Sequence, residues 1–314
     1  MILQNSVPPQ GKVLFYPFVL IFILLPWLSD TATAQQLPQF EQVTVESFSR
    51  KSLFSSERLK IDGYLFKAVG NGKSPGAVLV PACGGLLNIG KQIWPWYRRM
   101  AVHLKRLGIT SLLIDGFNPR GRLEICTQRR RDRTIDTDTR IQDSLAGLRF
   151  LRARGDIDAS RVFLLTWGAT GSLETMSREN SQVEELGGGF TASVMFYPSC
   201  NSVNRPYSSY APIKMLIGEK DNWNPPAPCL ELAGDKGNKS APVTVKIFPD
   251  AYHGFDTPQP IHEMHNVAVS ESVTVGGNPQ SRTEAYQEIT AFLTAFLASP
   301  TADNRTVDGK SKVK

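Results

Sequence analysis

Val162-Phe163-Leu164-Leu165-Thr166 is a short run with no polar alternation, and Trp167-Gly168-Ala169-Thr170-Gly171-Ser172 leads from it into a stretch of helical spacing over residues 171–178. A strand with one wet face alternates apolar and polar side chains, whereas one that is apolar throughout is covered on both faces. Outward from this stretch the same pattern recurs. Apolar runs at 77–80 and 110–114 are followed by helical patterns at 94–107 and 140–152, and further runs lie at 192–197, 213–217 and 243–248. Residues 284–297 close the domain as an amphipathic helix. Short buried runs alternating with helices describe an α/β domain, a mostly parallel sheet with helices on both faces. Ahead of them, residues 41–46 and 59–67 read as an antiparallel strand pair, with Asn71-Gly72 and Pro75 marking a turn. Ligands of such sheets bind beyond the carboxyl ends of the strands, so the loops that matter begin at 81, 115, 167, 198, 218 and 249.

The 314 residues carry Lys+Arg 35 against Asp+Glu 29, a net charge of +6, with 41% hydrophobic and 20% charged residues. That balance excludes a disordered chain or a long coiled coil. The charge excess is modest, and the basic run Arg129, Arg130, Arg131 and Arg133 has no interleaved aromatic residue, so no nucleic-acid partner is expected. Lys12, the apolar run 13–25, Pro26 and Ala32-Thr33-Ala34 read as a secretory signal peptide, residues 1–34, cleaved before Gln35. The expected product is exported, periplasmic or secreted, with no stable membrane anchor. Residues 299–314 are polar and aperiodic and read as a disordered tail, which leaves one domain over 35–298. In an oxidising compartment Cys83, Cys126, Cys200 and Cys229 favour disulfides, and spacing alone leaves three pairings open.

Only four histidines exist. His253, in Asp250-Ala251-Tyr252-His253-Gly254-Phe255, follows the last run, where an imidazole can serve as general base at the sheet's carboxyl edge. His103 lies within a helical stretch and reads as structural. His262 and His265 do not form the HExxH zinc helix and read as a solvated loop, so no metal is expected. Asp221, after the penultimate run, is placed to orient His253. Trp94, Trp96 and Tyr97 read as core at their helical spacing, with a pocket mouth as the alternative.

Five segments then stand in a telling order: Ala82-Cys83-Gly84-Gly85-Leu86, Asp115-Gly116-Phe117-Asn118-Pro119-Arg120-Gly121, Tyr197-Pro198-Ser199-Cys200, Ile217-Gly218-Glu219-Lys220-Asp221 and Tyr252-His253-Gly254-Phe255. Over roughly residues 76–296 the chain resembles the dienelactone hydrolase family, an exported branch of the α/β-hydrolase fold. The resemblance implies hydrolysis of a carboxylic ester or lactone without metal or organic cofactor. It also implies Asp221 as acid, His253 as base, and an oxyanion hole from backbone N–H groups at Cys83, Gly84 and Ala169. Family members carry Gly-x-Ser-x-Gly or Gly-x-Cys-x-Gly after the third run. Here Thr166-Trp167-Gly168-Ala169-Thr170 puts glycine at the nucleophile position and threonines at two family glycines. Losing a triad nucleophile leaves only ~10³–10⁴-fold catalysis over water.

The expectation is therefore a hydrolase with weak or lost turnover, the alternative being a non-catalytic protein that binds a small ester, lactone or carboxylate in the same pocket. Possible substitutes are Thr170, expected to point elsewhere, Ser172, the Cys83 thiol, or a water activated by His253. Under this fold Cys83 and Cys126 share one group of loops and Cys200 and Cys229 another, which leads to the pairs Cys83–Cys126 and Cys200–Cys229. Arg120, in the family-like Pro-Arg-Gly segment, is the expected contact for an anionic substrate.

Overall fold

The computed structural model describes residues 40–47, 59–235, 240–267 and 270–297; the expected signal segment and tail lie outside them. In chain order the elements are β1 (Glu41–Glu46), β2 (Lys60–Phe66), β3 (Ser74–Val80), α1 (Pro95–Arg106), β4 (Thr110–Asp115), α2 (Thr137–Arg152), β5 (Ile157–Trp167) and α3 (Ser172–Thr175). There follow α4 (Ser181–Glu185), β6 (Ser193–Phe196), β7 (Ile213–Gly218), α5 (Pro226–Gly234), β8 (Val243–Phe248), β9 (His262–Val267), β10 (Ser270–Val275) and α6 (Pro279–Leu297). Eight strands form one sheet in the order β1-β2-β4-β3-β5-β6-β7-β8. β1 and β2 pair antiparallel, β2 joins β4 antiparallel, and every other neighbour is parallel. The α/β-hydrolase architecture and its N-terminal antiparallel pair are therefore present.

Two apolar layers explain why the central runs do not alternate. One face of the sheet packs Val78, Ile114, Leu164 and Met215 against Leu145 and Leu148 of α2, Leu173 of α3 and Leu232 of α5. The opposite face packs Leu79, Leu113, Phe163, Phe196 and Leu216 against Met100 and Leu104 of α1 and Ile289 and Leu293 of α6. Pro95 opens α1, where a missing N–H costs nothing, and the Asp136 carboxylate caps α2 by accepting the Thr139 N–H at 2.9 Å.

The chain leaves β3 toward β4 on one side, and β5 lies on the other. This reversal opens a crevice at the carboxyl ends of β3 and β5, the place where open α/β sheets bind ligands. Cys83 follows β3 there and Gly168 follows β5.

Residues 262–275 differ from expectation. They form an antiparallel hairpin, β9–β10, rather than a solvated loop, with a small core of Val267, Val273 and Val275 against Trp223 and Met264. His262 and His265 are exposed on β9. His103 is packed between helices, with its Nε2 2.9 Å from Thr290 Oγ1 and its ring edge-on to Tyr286. No helix among the described residues is long and apolar enough to cross a membrane.

The cysteines pair Cys83–Cys126 and Cys200–Cys229. The first closes a sequence separation of 43 residues. Chain entropy assigns such a loop roughly 4 kcal/mol. A Cys83→Ser/Cys126→Ser double variant is therefore expected to lose roughly 3–4 kcal/mol in urea denaturation, with an m-value raised by the less compact unfolded chain, and a loss below about 1 kcal/mol contradicts the account.

Candidate active site

Asp221 leaves the end of β7 in a turn that its own carboxylate organises. Its Oδ1 accepts the backbone N–H groups of Trp223 at 2.9 Å and Asn224 at 2.8 Å, leaving Oδ2 free to face His253. Gly218 makes this approach possible, because a Cβ there would collide with the Ala251 carbonyl oxygen in the loop that carries His253. His253 Nδ1 lies 2.8 Å from Asp221 Oδ2. The pair is buried, Asp221 3% and His253 8% exposed. The imidazole lies between Tyr197, at 4.1 Å between ring centroids, and Trp223, at 4.8 Å. A carboxylate on Nδ1 fixes the tautomer that leaves Nε2 as the proton acceptor.

That nitrogen faces the turn after β5. Gly168 there has φ +49°, the left-handed region that side chains rarely adopt. A Cβ built on it would lie 3.5 Å from His253 Nε2 and 3.4 Å from Tyr197, in ordinary contact and without collision. The sequence brought Asp221, His253 and Gly168 from three loops, and all three meet.

The proposed substitutes have different surroundings. Ser172 is buried and its hydroxyl donates to the Ala169 carbonyl at 2.7 Å. Cys83 has no thiol, being in a disulfide. Thr170, expected to point elsewhere, lines the same small cavity as Gly168 and His253. Thr166 is buried and its hydroxyl finds no partner among the described residues. The backbone N–H groups of Cys83, Gly84 and Ala169 are not spent on any other described residue.

Arg120 is occupied elsewhere. Its guanidinium forks onto Asp143 of α2 at 2.7 and 2.9 Å and donates to the Gly116 carbonyl at 2.6 Å. Ser47 completes this buried clamp with a 2.5 Å hydrogen bond to Asp143. The arginines lining the His253 cavity are Arg133 and Arg140 instead.

Two cavities meet at the imidazole. The smaller, about 60 Å³, is lined by Gly168, Thr170, Ser199, Asn224, Arg133 and Arg140. The larger, about 300 Å³, is lined by Trp94, Trp96, Tyr97, Met264 and Val275, with Gly84 and Gly85. Ala82, Cys83, Trp223 and His253 belong to both. Trp94 and Trp96, stacked at 4.6 Å, are half-exposed at this mouth, whereas Tyr97 is buried and its hydroxyl accepts the Ala82 N–H at 2.9 Å.

Sequence reasoning missed two residues here. Asn224 donates to the Tyr197 carbonyl at 2.8 Å, tying the Asp221 turn to the end of β6. Asp256, 3% exposed, accepts Trp167 Nε1 at 2.7 Å and the Tyr197 hydroxyl at 2.9 Å. Burial holds its carboxyl above the ordinary range. Its position three residues after His253 was the signal available.

Among solved structures the chain is similar to a dienelactone hydrolase of Anabaena variabilis ATCC 29413, with TM-score 0.54 and 16% identity, covering 82% of this chain and 98% of that one. It is also similar to P91, a dienelactone hydrolase-like promiscuous phosphotriesterase from metagenomic libraries, with TM-score 0.58 and 16% identity over 82% and 98% of the two chains. The carboxylesterase Cest-2923 of Lactobacillus plantarum WCFS1 gives TM-score 0.55 and 13% identity over 84% and 100%. At these identities the likeness establishes the fold alone. A comparison with curated protein sequences finds no match. The family model described as "Dienelactone hydrolase family" matches residues 61–297, a span that holds the strands after β1, the Asp221–His253 pair and the turn at Gly168. On that match the chain belongs to the dienelactone hydrolase family.

Proposed function

We propose that this chain is an exported carboxylic ester or lactone hydrolase in which Gly168 occupies the nucleophile position, so that turnover is weak or lost. The observation that carries the reading is the 3.5 Å between His253 Nε2 and a Cβ at Gly168: a nucleophile there would sit against the base. What remains is an Asp221–His253 pair facing a space where that nucleophile would stand.

Residual chemistry then runs through water. A water in that space gives a proton to His253 Nε2 as its oxygen adds to the carbonyl carbon. The carbonyl oxygen takes the negative charge facing the N–H groups of Cys83, Gly84 and Ala169. His253 returns the proton to the leaving alkoxide as the C–O bond breaks, releasing acid and alcohol. Asp221 stabilises the imidazolium in between. The partner is a small ester, lactone or carboxylate. Export is supported by the signal-like residues 1–34 and by two disulfides, which persist in oxidising compartments. The second reading, a non-catalytic binder in the same pocket, is favoured by Gly168 itself and by the disulfide that removes the Cys83 thiol.

The test is hydrolysis of an activated short-chain ester by the mature protein beside its His253→Ala variant. The expected result is slow hydrolysis that falls by about 10²-fold in the variant, the usual scale of general-base assistance. Equal rates in both proteins contradict a role for His253, and no hydrolysis in either favours the binder. Thr170→Val separates attack by the threonine hydroxyl, which it abolishes, from attack by water.

A further inference from the structure

Arg140 is 3% exposed, yet no carboxylate among the described residues lies within ion-pair distance of it. One guanidinium nitrogen, Nη2, donates to the Pro81 carbonyl, and the group lies over the Phe117 ring at 5.1 Å. Its Nε is buried with no hydrogen-bond partner. The nearby Asp143 favours the charged guanidinium through space but makes no ion pair with it, because Arg120 and Ser47 take up its two oxygens. Arginine is seldom fully buried without a counter-charge, since an unpaired buried guanidinium is costly. Burial pulls its pKa down to about 10, so the group stays charged at neutral pH and awaits an anion.

The cavity that Arg140 lines has about 60 Å³. That is room for about two waters, hence for two carboxylate oxygens and their carbon but not for a ring. It shares Ala82, Cys83, Trp223 and His253 with the larger groove of about 300 Å³, which Trp94, Trp96 and Met264 also line. Stacked indoles and a thioether favour a flat aromatic body over an alkyl chain. The β9–β10 hairpin supplies one wall through Met264 and Val275.

We propose that the two cavities together form the binding site for an aromatic carboxylate, its charged head against Arg140 and its ring in the tryptophan–methionine groove. The assignment rests on reading this mouth as the ligand pocket, and it does not require turnover. It makes Arg140 the specificity-determining cation and the hairpin the wall that selects the aromatic body.

Phenylacetate, acetate and phenylacetamide test it by calorimetric titration of the mature protein. Phenylacetate is expected to bind, with acetate and the neutral amide each roughly tenfold weaker or worse, the scale of one lost charged hydrogen bond or one lost ring contact. Arg140→Met keeps most of the stem and removes the charge, and is expected to lose phenylacetate binding by at least roughly tenfold. Trp96→Ala is expected to weaken phenylacetate while leaving acetate unchanged, and it carries the test if the Arg140 variant does not fold. Equal affinity for acid and amide, wild-type affinity in Arg140→Met, or no binding of phenylacetate overturns the proposal. Phenylacetate binding with no His253-dependent hydrolysis leaves this inference standing while the catalytic reading falls; the reverse outcome does the opposite.

Discussion

Gly168→Ser is expected to raise kcat/KM for an activated ester by about 10²–10³-fold and to introduce a burst of acyl-enzyme absent from the parent. The gain is set by geometry. A Cβ at residue 168 meets Tyr197 at 3.4 Å and His253 Nε2 at 3.5 Å, so the serine side chain fits, and its hydroxyl lies one bond further along beside the base. Full restoration, on the order of 10⁶ for a complete triad, is not expected. Thr166 and Thr170 flank Gly168 with β-branched side chains, and they restrict how the turn after β5 can settle around a new side chain. The positive φ at residue 168 also costs a serine about 1–2 kcal/mol. The variant should therefore be faster and slightly less stable, with Gly168→Ser/His253→Ala inactive. A folded Gly168→Ser protein with neither burst nor rate gain would falsify the placement of the nucleophile position at Gly168.

Most of the sheet was legible because its strands are covered on both faces: the run from Val162 to Thr166 lies in β5, between α2 and α3 on one side and α1 and α6 on the other. The order of Gly168, Asp221 and His253 was legible for the same reason, since each sits just past a strand that apolar runs mark. The hairpin β9–β10 was not. It packs as an isolated pair on a few valines, Trp223 and Met264, so His262, Glu263 and His265 stay in water and dilute any alternation. Arg140 was equally hidden. An arginine near the start of a helix ordinarily reaches solvent, and only the segment after β4, with Phe117 over the guanidinium, buries this one. Arg120 showed the reverse: its motif was visible, but its partner Asp143 comes from α2, 23 residues away, and local sequence gives no sign of that pairing.

Asp256→Leu is expected to cost about 2–6 kcal/mol, because it strands two buried donors, each worth roughly 1–3 kcal/mol when left unpaired. The carboxylate accepts Trp167 Nε1 and the Tyr197 hydroxyl. Those residues flank the site, Trp167 immediately before Gly168 and Tyr197 against the His253 ring. Asp256→Asn should be far milder, since its oxygen can accept the indole N–H while its NH₂ donates to a rotated tyrosine hydroxyl. The two variants also separate in pH. Burial raises the Asp256 carboxyl above its ordinary value in the folded state. The native protein therefore binds that proton more tightly than the unfolded chain does, and the group's contribution to stability is full below the unfolded pKa and lost as pH rises through the raised folded pKa. Asparagine has no such proton to lose. Urea midpoints measured from pH 4 upward should show the wild type losing ground to Asp256→Asn across that window, with Asp256→Leu low throughout. Parallel curves for wild type and Asp256→Asn would show that Asp256 keeps the same proton affinity in both states, and the indole–carboxyl–phenol bridge would then be held by an ordinary ionised carboxylate.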